Sequence, residues 1–293
     1  MLDSKRMYST YFKEYILDDA MLKRLQDELL KILLDIDYVC KKHDIKYMLC
    51  GGTLIGAIRH KGFIPWDDDA DIAMPRPDYD FLMQNYKQLM PDRFEARCME
   101  NTDNFSAPFA KIYDKSTTLK ESKYMETLGG VYIDVFPLDG VPNNKIAQWW
   151  HFFRYEYYKR LNYFVYRDPY KHGHGPACWL PLLAQKLYSK EWMKKKLCKL
   201  MTAYDYEKCI YVVDHDDGWK GVLKKEILGN PIPISFEENS FWGVEQYDRY
   251  LSQKYGDYMT IPPHDKQHQH NFYYLNLNKP FSEFDESDVD NSL

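Results

Sequence analysis

The feature that most constrains this chain is a short strand-like run carrying acids at alternate positions, placed after a glycine pair. Residues 49–74 read LCGGTLIGAIRHKGFIPWDDDADIAM, with Asp67, Asp68, Asp69 and Asp71 falling within five positions. An isolated acidic cluster is ordinarily a solvated turn. Here, period-two alternation over Asp69–Met74 sets Asp69, Asp71 and Ala73 on one strand face and Ala70, Ile72 and Met74 on the other. Neighbouring carboxylates repel unless a cation lies between them. Hard oxygen ligands in that arrangement suit Mg²⁺ or Mn²⁺, leaving positions for phosphate oxygens and water. The run Gly130–Phe136 predicts a further strand, with Asp134 on the face opposite Val131, Ile133 and Val135.

Two familiar alternatives fail on spacing. A calcium loop starting at Asp67 requires Gly at its sixth position and Glu at its twelfth, where this chain has Ile72 and Asp78. No G-x-x-x-x-G-K-[ST] phosphate loop occurs. Gly51-Gly52 at a strand end lets backbone N–H groups approach an anion, aided by the N-terminus of a following helix. Arg59, His60 and Lys61 lie between the glycines and the aspartates, where bases would face a phosphate.

The 293 residues suffice for one large domain or two small ones, with 45% apolar and 28% charged residues. A net charge of −5 argues against a dedicated nucleic-acid binder. Aromatics are abundant, at 7 Trp, 15 Phe and 26 Tyr. No run approaches the ~18 apolar residues of a spanning helix. The opening MLDSKRMYSTYFKE lacks the apolar stretch of a secretory signal. Six cysteines without a C-x-x-C pair read as reduced thiols of a cytoplasmic protein.

Spacings of three and four from Leu22 to Cys40 predict a helix over 18–43, followed by a strand at 45–50, helical turns at 53–60 and a helix at 77–90. Shorter strands are expected at 94–99 and 109–113. Residues 146–200 hold 11 basic and 3 acidic residues, a net of +8, beside Trp149, Trp150, Phe152 and Phe153, so the remainder carries −13. A helix is expected from Pro181 to about Tyr206. The acidic stretch after 275 reads as poorly ordered.

A glycine pattern followed by two strand carboxylates and a later third resembles the nucleotidyltransferase fold. More specifically, GGTLIGAIRHKGFIPWDDDADIAMPRPDY resembles the signature of the LicD family, the phosphocholine transferases of bacterial surface glycans, whose core fukutin-type proteins share. The likeness continues through AKIYDKSTTL (110–119), GGVYIDVFPLDGVP (129–142) and ISFEENSFWGVEQYDRYLSQKYGDYMTIPP (234–263). After Pro263 the family tends to have a basic residue and paired His, where this chain reads HDKQHQH.

The resemblance implies an α/β (α+β) fold, a nucleotidyltransferase-like mixed sheet with flanking helices and an aromatic-rich helical addition. Residues 1–145 would form the catalytic core and 146–230 a helical, basic and aromatic segment facing the acceptor or a membrane. Residues 231–275 would form a block packing on the core, and 276–293 an acidic tail. It implies transfer of a phosphorylated group from a CDP carrier with Mg²⁺ or Mn²⁺, Asp69 and Asp71 matching the metal pair and Asp134 the third acid. Gly51, Gly52, Arg59, Lys61 and Trp66 fall around the donor, with Lys111 a further phosphate contact and Trp66 and Tyr132 the rings nearest the carboxylates for a choline head. The expected donor is CDP-choline and the acceptor a glycan, lipid-linked and met at the inner face of the membrane. CDP-linked ribitol or glycerol phosphate is the nearest alternative donor, and a non-catalytic glycan-binding module the alternative of another class.

Overall fold

The computed structural model describes residues 17–121, 128–170, 174–270 and 272–291. The opening residues 1–14 discussed above lie outside them. Helix α1 (Asp19–Lys42) forms where its spacing predicts. Asp18 caps it by accepting from the Met21 N–H at 2.7 Å, Lys41 and Lys42 end it, and Leu25, Leu29, Ile32, Leu33 and Ile36 are buried. It lies against β6 (Tyr132–Val141), and Val131 just before that strand, with Ile133 and Val135 within it, is sealed from water.

Strand β6 organises one mixed sheet of nine strands. One edge runs parallel to β2 (Asp71–Pro75). The other pairs first with β4 (Ala110–Asp114) and then with β7 (Tyr211–Asp214), both antiparallel. Beyond β4 lies β3 (Phe94–Arg97), and beyond β7 lies β8 (Leu223–Lys224). On the far side β2 continues into β1 (Met48–Leu49), β10 (Asn239–Gly243) and β9 (Ile232–Phe236). The flanking helices are α2 (Gly51–Arg59), α3 (Arg76–Leu89), α4 (Lys145–Tyr166), α5 (Trp179–Leu187), α6 (Lys190–Met201) and α7 (Tyr247–Tyr255). The expected mixed α/β class is what the chain adopts.

Five local expectations are corrected. The acid-bearing strand starts at Asp71, not Asp69, although the Asp134 N–H still donates to the Ala70 carbonyl at 3.1 Å. Helix α2 begins at the glycine pair itself rather than after it. The helix expected from 181 to 206 is two helices, because Tyr188 turns extended and the Ser189 hydroxyl caps a new one, accepting from Trp192 N–H at 3.1 Å. The stretch after 275 is not featureless: β11 (Tyr274–Asn276) pairs with β5 (Thr118–Lys120), and helix α8 (Ser287–Asn291) follows. Two of its acids are matched, with Glu286 on Lys120 and Asp288 on Lys279. The segment 146–230 is also not wholly helical, since β7 and β8 come from it.

A buried polar chain ties α3, β6, β7 and α4 together. Arg76 grips Asp139 through two bonds of 2.6 and 2.8 Å, His215 Nδ1 meets Asp139 Oδ2 at 2.9 Å, and His151 Nε2 meets His215 Nε2 at 3.0 Å. Burial would raise the Asp139 pKa, but the Arg76 charge and the His215 bond hold it below the ordinary range. Burial, then the neighbouring His215, pushes His151 down to about 4. Replacing Asp139 with Ala leaves a buried guanidinium without its counter-charge. Asp139→Ala is expected to lower the unfolding free energy by about 3–5 kcal/mol in urea titrations. A loss below about 1 kcal/mol would show that the pair does not hold α3 to the sheet.

Candidate active site

Register brings the charged residues together. In the parallel pair β2–β6, Asp71 lies opposite Asp134, and in the antiparallel pair β4–β6, Lys111 lies opposite Asp134. Opposed residues project to the same sheet face, so three adjacent strands present Lys111, Asp134 and Asp71 in one row, spaced by about 4.8 Å per strand. Asp69 enters from the loop just before β2, and Asp67 and Asp68 precede it.

Helix α2 points its first turn at this row. Cys50 gives that turn no side-chain cap. The Thr53 hydroxyl instead accepts from the Asp71 backbone N–H at 2.8 Å, fastening the helix to the strand. A Cβ on Gly51 would lie 2.7 Å from Asp71 Oδ2, and one on Gly52 would lie 2.9 Å from Asp67 Oδ2. Gly51 also has φ +56°. Only glycine lets the carboxylates come this close to the helix N-terminus.

The carboxylates are strained electrostatically. Burial, then Asp69 and Asp68, pushes the Asp67 pKa up to about 8. Asp134 rises to about 7 through burial, with Asp69 adding to the rise and Lys111 opposing it. Asp69 is raised by burial, and Asp71 is raised well above the carboxylate range by burial, Asp69 and Asp134. Asp134 Oδ1 is buried without a hydrogen bond, its nearest cation being Lys111 Nζ at 3.8 Å. A buried acceptor with no donor, beside carboxylates that repel one another, fits a divalent cation chemically.

A histidine that the sequence reading left unassigned completes one side. His270 donates its backbone N–H to Asp68 Oδ2 at 2.7 Å, and its Nδ1 lies 2.8 Å from Asp68 Oδ1 and 3.7 Å from Asp69 Oδ2. The bond to Asp68 raises its pKa to about 9, against desolvation, so the ring is cationic at neutral pH. Asp68, Asp69 and His270 also bring one ligand atom each within 4.8 Å of one another. The paired-His pattern after Pro263 was the signal for this residue, but spacing could not choose among His264, His268 and His270.

Lys111 and Tyr132 form a closed unit. The Lys111 ammonium sits 3.5 Å from the Tyr132 ring centroid and pairs with Glu121, whose Oε1 also accepts from the Tyr132 hydroxyl at 2.5 Å. Burial would raise the Glu121 pKa, yet Lys111 and these bonds hold it below the ordinary range. Glu121 carried no sequence signal. The lysine thus neutralises acids of the site, and a Tyr132 face expected to meet a ligand cation meets the chain's own.

Arg59, Lys61 and Trp66 make no hydrogen bond or ion pair with the carboxylates among the described residues. Arg59 Nη1 donates to the carbonyls of Tyr258 at 2.7 Å and Thr260 at 3.3 Å, and its Nε meets His60 Nε2 at 2.8 Å. Lys61 is exposed in a left-handed turn, φ +63°, and its carbonyl accepts from Glu237 N–H at 2.9 Å. Trp66 is half-buried, edge-on to His60 at 6.3 Å.

The LicD/FKTN/FKRP nucleotidyltransferase domain matches residues 44–171, which contain every aspartate above. The lipopolysaccharide cholinephosphotransferase LicD of Haemophilus influenzae is 33% identical over 258 residues, spanning 84% of this chain and 95% of that protein. An uncharacterised protein of Rickettsia typhi is 37% identical over 82 residues, 25% of this chain and 26% of its own. Another, of Rickettsia prowazekii, is 43% identical over 61 residues, 21% and 23% of the two chains.

The raised carboxylates make a stability prediction whose sign is definite. Groups such as Asp134 (about 7) and Asp67 (about 8) keep protons in the folded chain that the unfolded chain has released. Their stabilisation is complete below about pH 4 and is lost as pH rises through those values. His270, raised to about 9, acts in the same direction over its own range. The metal-free chain is therefore expected to melt at lower temperature at pH 8 than at pH 6. Mn²⁺ or Mg²⁺ should raise Tm more at pH 8. Melting curves insensitive to both cations at pH 8 would show that the carboxylates do not share one.

Proposed function

The chain belongs to the LicD family of transferases, and on that premise we propose that it moves phosphocholine from CDP-choline to a hydroxyl of a cell-surface glycan, releasing CMP. The observation that carries this reading is that register sets Asp71 beside Asp134, with Asp69 two residues before Asp71, while Asp71 Oδ2 lies against the uncapped first turn of α2, where backbone N–H groups and the helix dipole favour phosphate. Asp69, Asp71 and Asp134 would hold Mg²⁺ or Mn²⁺. Such an ion, when bound, supplies neutralising charge to a diphosphate.

The remaining work falls to the chain. The acceptor oxygen forms its bond to the choline-bearing phosphorus as the bond from that phosphorus to the CMP oxygen breaks. CMP departs with the electron pair. Asp134, with a pKa of about 7 set by burial, is suited either to take the hydroxyl proton or to complete the oxygen set. Gly51 and Gly52 let the carboxylates approach the first turn of α2, whose backbone N–H groups would meet the diphosphate, and cationic His270 balances Asp68 and Asp69. Arg59 and Lys61 act by holding the loop that carries the aspartates. Trp66 is the ring left for the quaternary ammonium, a contact worth ~0.5–2 kcal/mol.

Among the described residues no helix is long and apolar enough to cross a membrane. All six cysteines are free, as a reducing compartment would keep them. We place the reaction at the cytoplasmic face, on a lipid-linked acceptor. The second donor class, CDP-linked ribitol or glycerol phosphate, is favoured by Tyr132 having a face occupied by Lys111.

The test is CMP release from CDP-choline with a glycan acceptor, with and without Mg²⁺, against CDP-ribitol and CDP-glycerol. Asp69→Asn and Asp71→Asn are expected to lower turnover by ~10²–10³-fold while leaving Tm at pH 6 within a few degrees. Asp134→Asn should be as severe, and an unchanged Mg²⁺ titration in that variant would make Asp134 a base alone. Near-normal turnover in either of the first two variants at saturating Mg²⁺ removes the assignment. Faster CMP release from another donor replaces choline.

A further inference from the structure

Helix α4 inverts the pattern of an ordinary surface helix. Its inward face holds Gln148, His151, Phe152, Tyr155, Asn162 and Val165. Its outward face, at spacings of three and four, holds Ile146, Trp149, Trp150, Phe153 and Tyr157, each between 51% and 79% exposed. Trp149 and Trp150 both stack on Phe153, at 5.6 and 5.5 Å. Helix α5 packs against α4 and repeats the feature, exposing Trp179, Leu180, Leu183 and Leu187 while burying Pro181 and Ala184. Exposed apolar side chains gathered in this way, with Trp149, Trp150 and Phe153 in mutual ring contact, mark an interaction site.

We propose that the outward faces of α4 and α5 form a docking surface for an anionic lipid membrane. Charge selects this occupant. Residues 146–200 carry a net +8 in a chain of net −5, α5 contains no acid, and the exposed Arg154 and Arg160 on α4 make no ion pair among the described residues. Anionic lipid attracts such bases, and Trp and Tyr rings suit the headgroup boundary. A second copy of this chain would bring the same positive charge against itself. The run Lys194–Lys196, conspicuous in the sequence, contributes less. Lys194 donates to the Thr102 carbonyl at 2.7 Å, and Lys195 pairs with Glu191 at 2.5 Å.

The surface is separate from the carboxylates. Val141, which packs beneath α4 with Phe152, lies seven residues along β6 from Asp134, or about 23 Å of strand. With no spanning helix among the described residues, attachment is reversible. The inference rests on the proposed function only in naming what the docked protein meets, a lipid-linked acceptor. Lipid binding itself requires no catalysis.

The experiment is co-sedimentation of the full chain, without donor, with vesicles of phosphatidylcholine alone or with 30 mol% phosphatidylglycerol. Runs at about 50 and about 500 mM NaCl span the range over which screening lengths fall severalfold. The expected result is at least tenfold stronger partitioning onto the anionic vesicles at low salt, falling steeply at high salt, with a blue shift of Trp emission. The variant W149Q/W150Q/F153Q should lose tenfold or more of that partitioning, and R154Q/R160Q about tenfold on anionic vesicles only. CMP release measured with a soluble acceptor should be unchanged in both, so failure of transfer and failure of docking read out separately. No binding to anionic vesicles at low salt overturns the proposal, as does unaltered binding in the triple variant. Concentration-dependent dimers in light scattering that the triple variant abolishes, without vesicle binding, assign the face to a second copy instead.

Discussion

Repulsion between carboxylates that the sheet register forces into one row is the constraint on which this structure turns. Asp71 and Asp134 cannot separate without breaking the β2–β6 ladder, and Asp69 and Asp67 follow Asp71 because the chain leaves them little length to diverge. The surroundings are arranged to tolerate that charge. Glycines at 51 and 52 admit carboxylate oxygens to the positive end of α2, Thr53 ties that end to the strand, and His270 arrives from far along the chain to cover Asp68. Burial first, and then the repulsion that remains, holds the Asp67 and Asp134 carboxyls above the ordinary range.

The carboxyl-terminal third builds the loop that delivers these acids. Strand β10 runs parallel to β1, and Arg59 crosses to the carbonyls of Tyr258 and Thr260. Glu237 accepts from the Phe63 N–H at 3.1 Å and sits so close to Gly62 that any Cβ there would meet its carboxylate at 2.2 Å. The loop from His60 to Asp69 is thus clamped by residues nearly two hundred positions away. That explains why an arginine inside the acid-rich motif bonds backbone carbonyls and not the acids beside it in sequence.

What could be read from sequence was whatever depends on local period. Alternation placed Asp71 and Asp134 on strand faces, spacing of three and four placed α1, and the resemblance ordered the blocks correctly. What escaped was whatever depends on contacts between distant residues. Glu121 had no neighbour to mark it, and the choice of His270 is made by tertiary packing against Asp68. Lys111 was visible but its partners were not, so a lysine beside an acidic motif read as a phosphate contact when Glu121 and Tyr132 already engage it. The stretch after 275 was read from composition alone, which cannot see that Lys120 and Lys279 meet its acids.

The site holds more acids than bases. Asp67, Asp68, Asp69, Asp71, Asp134 and Glu121 surround it, against Lys111 and His270. Six carboxyl groups facing two cations would repel a diphosphate if all were ionised. Lys111 cannot turn to the donor without leaving Glu121 buried and uncompensated, and His270 cannot without abandoning Asp68. Neither local base is free to provide the charge that an anionic donor needs. On the proposed function, that charge would be supplied by a divalent cation held at Asp69, Asp71 and Asp134. On that reading donor and cation would favour each other's binding, and the carboxylate cluster that burdens the fold would serve to load it.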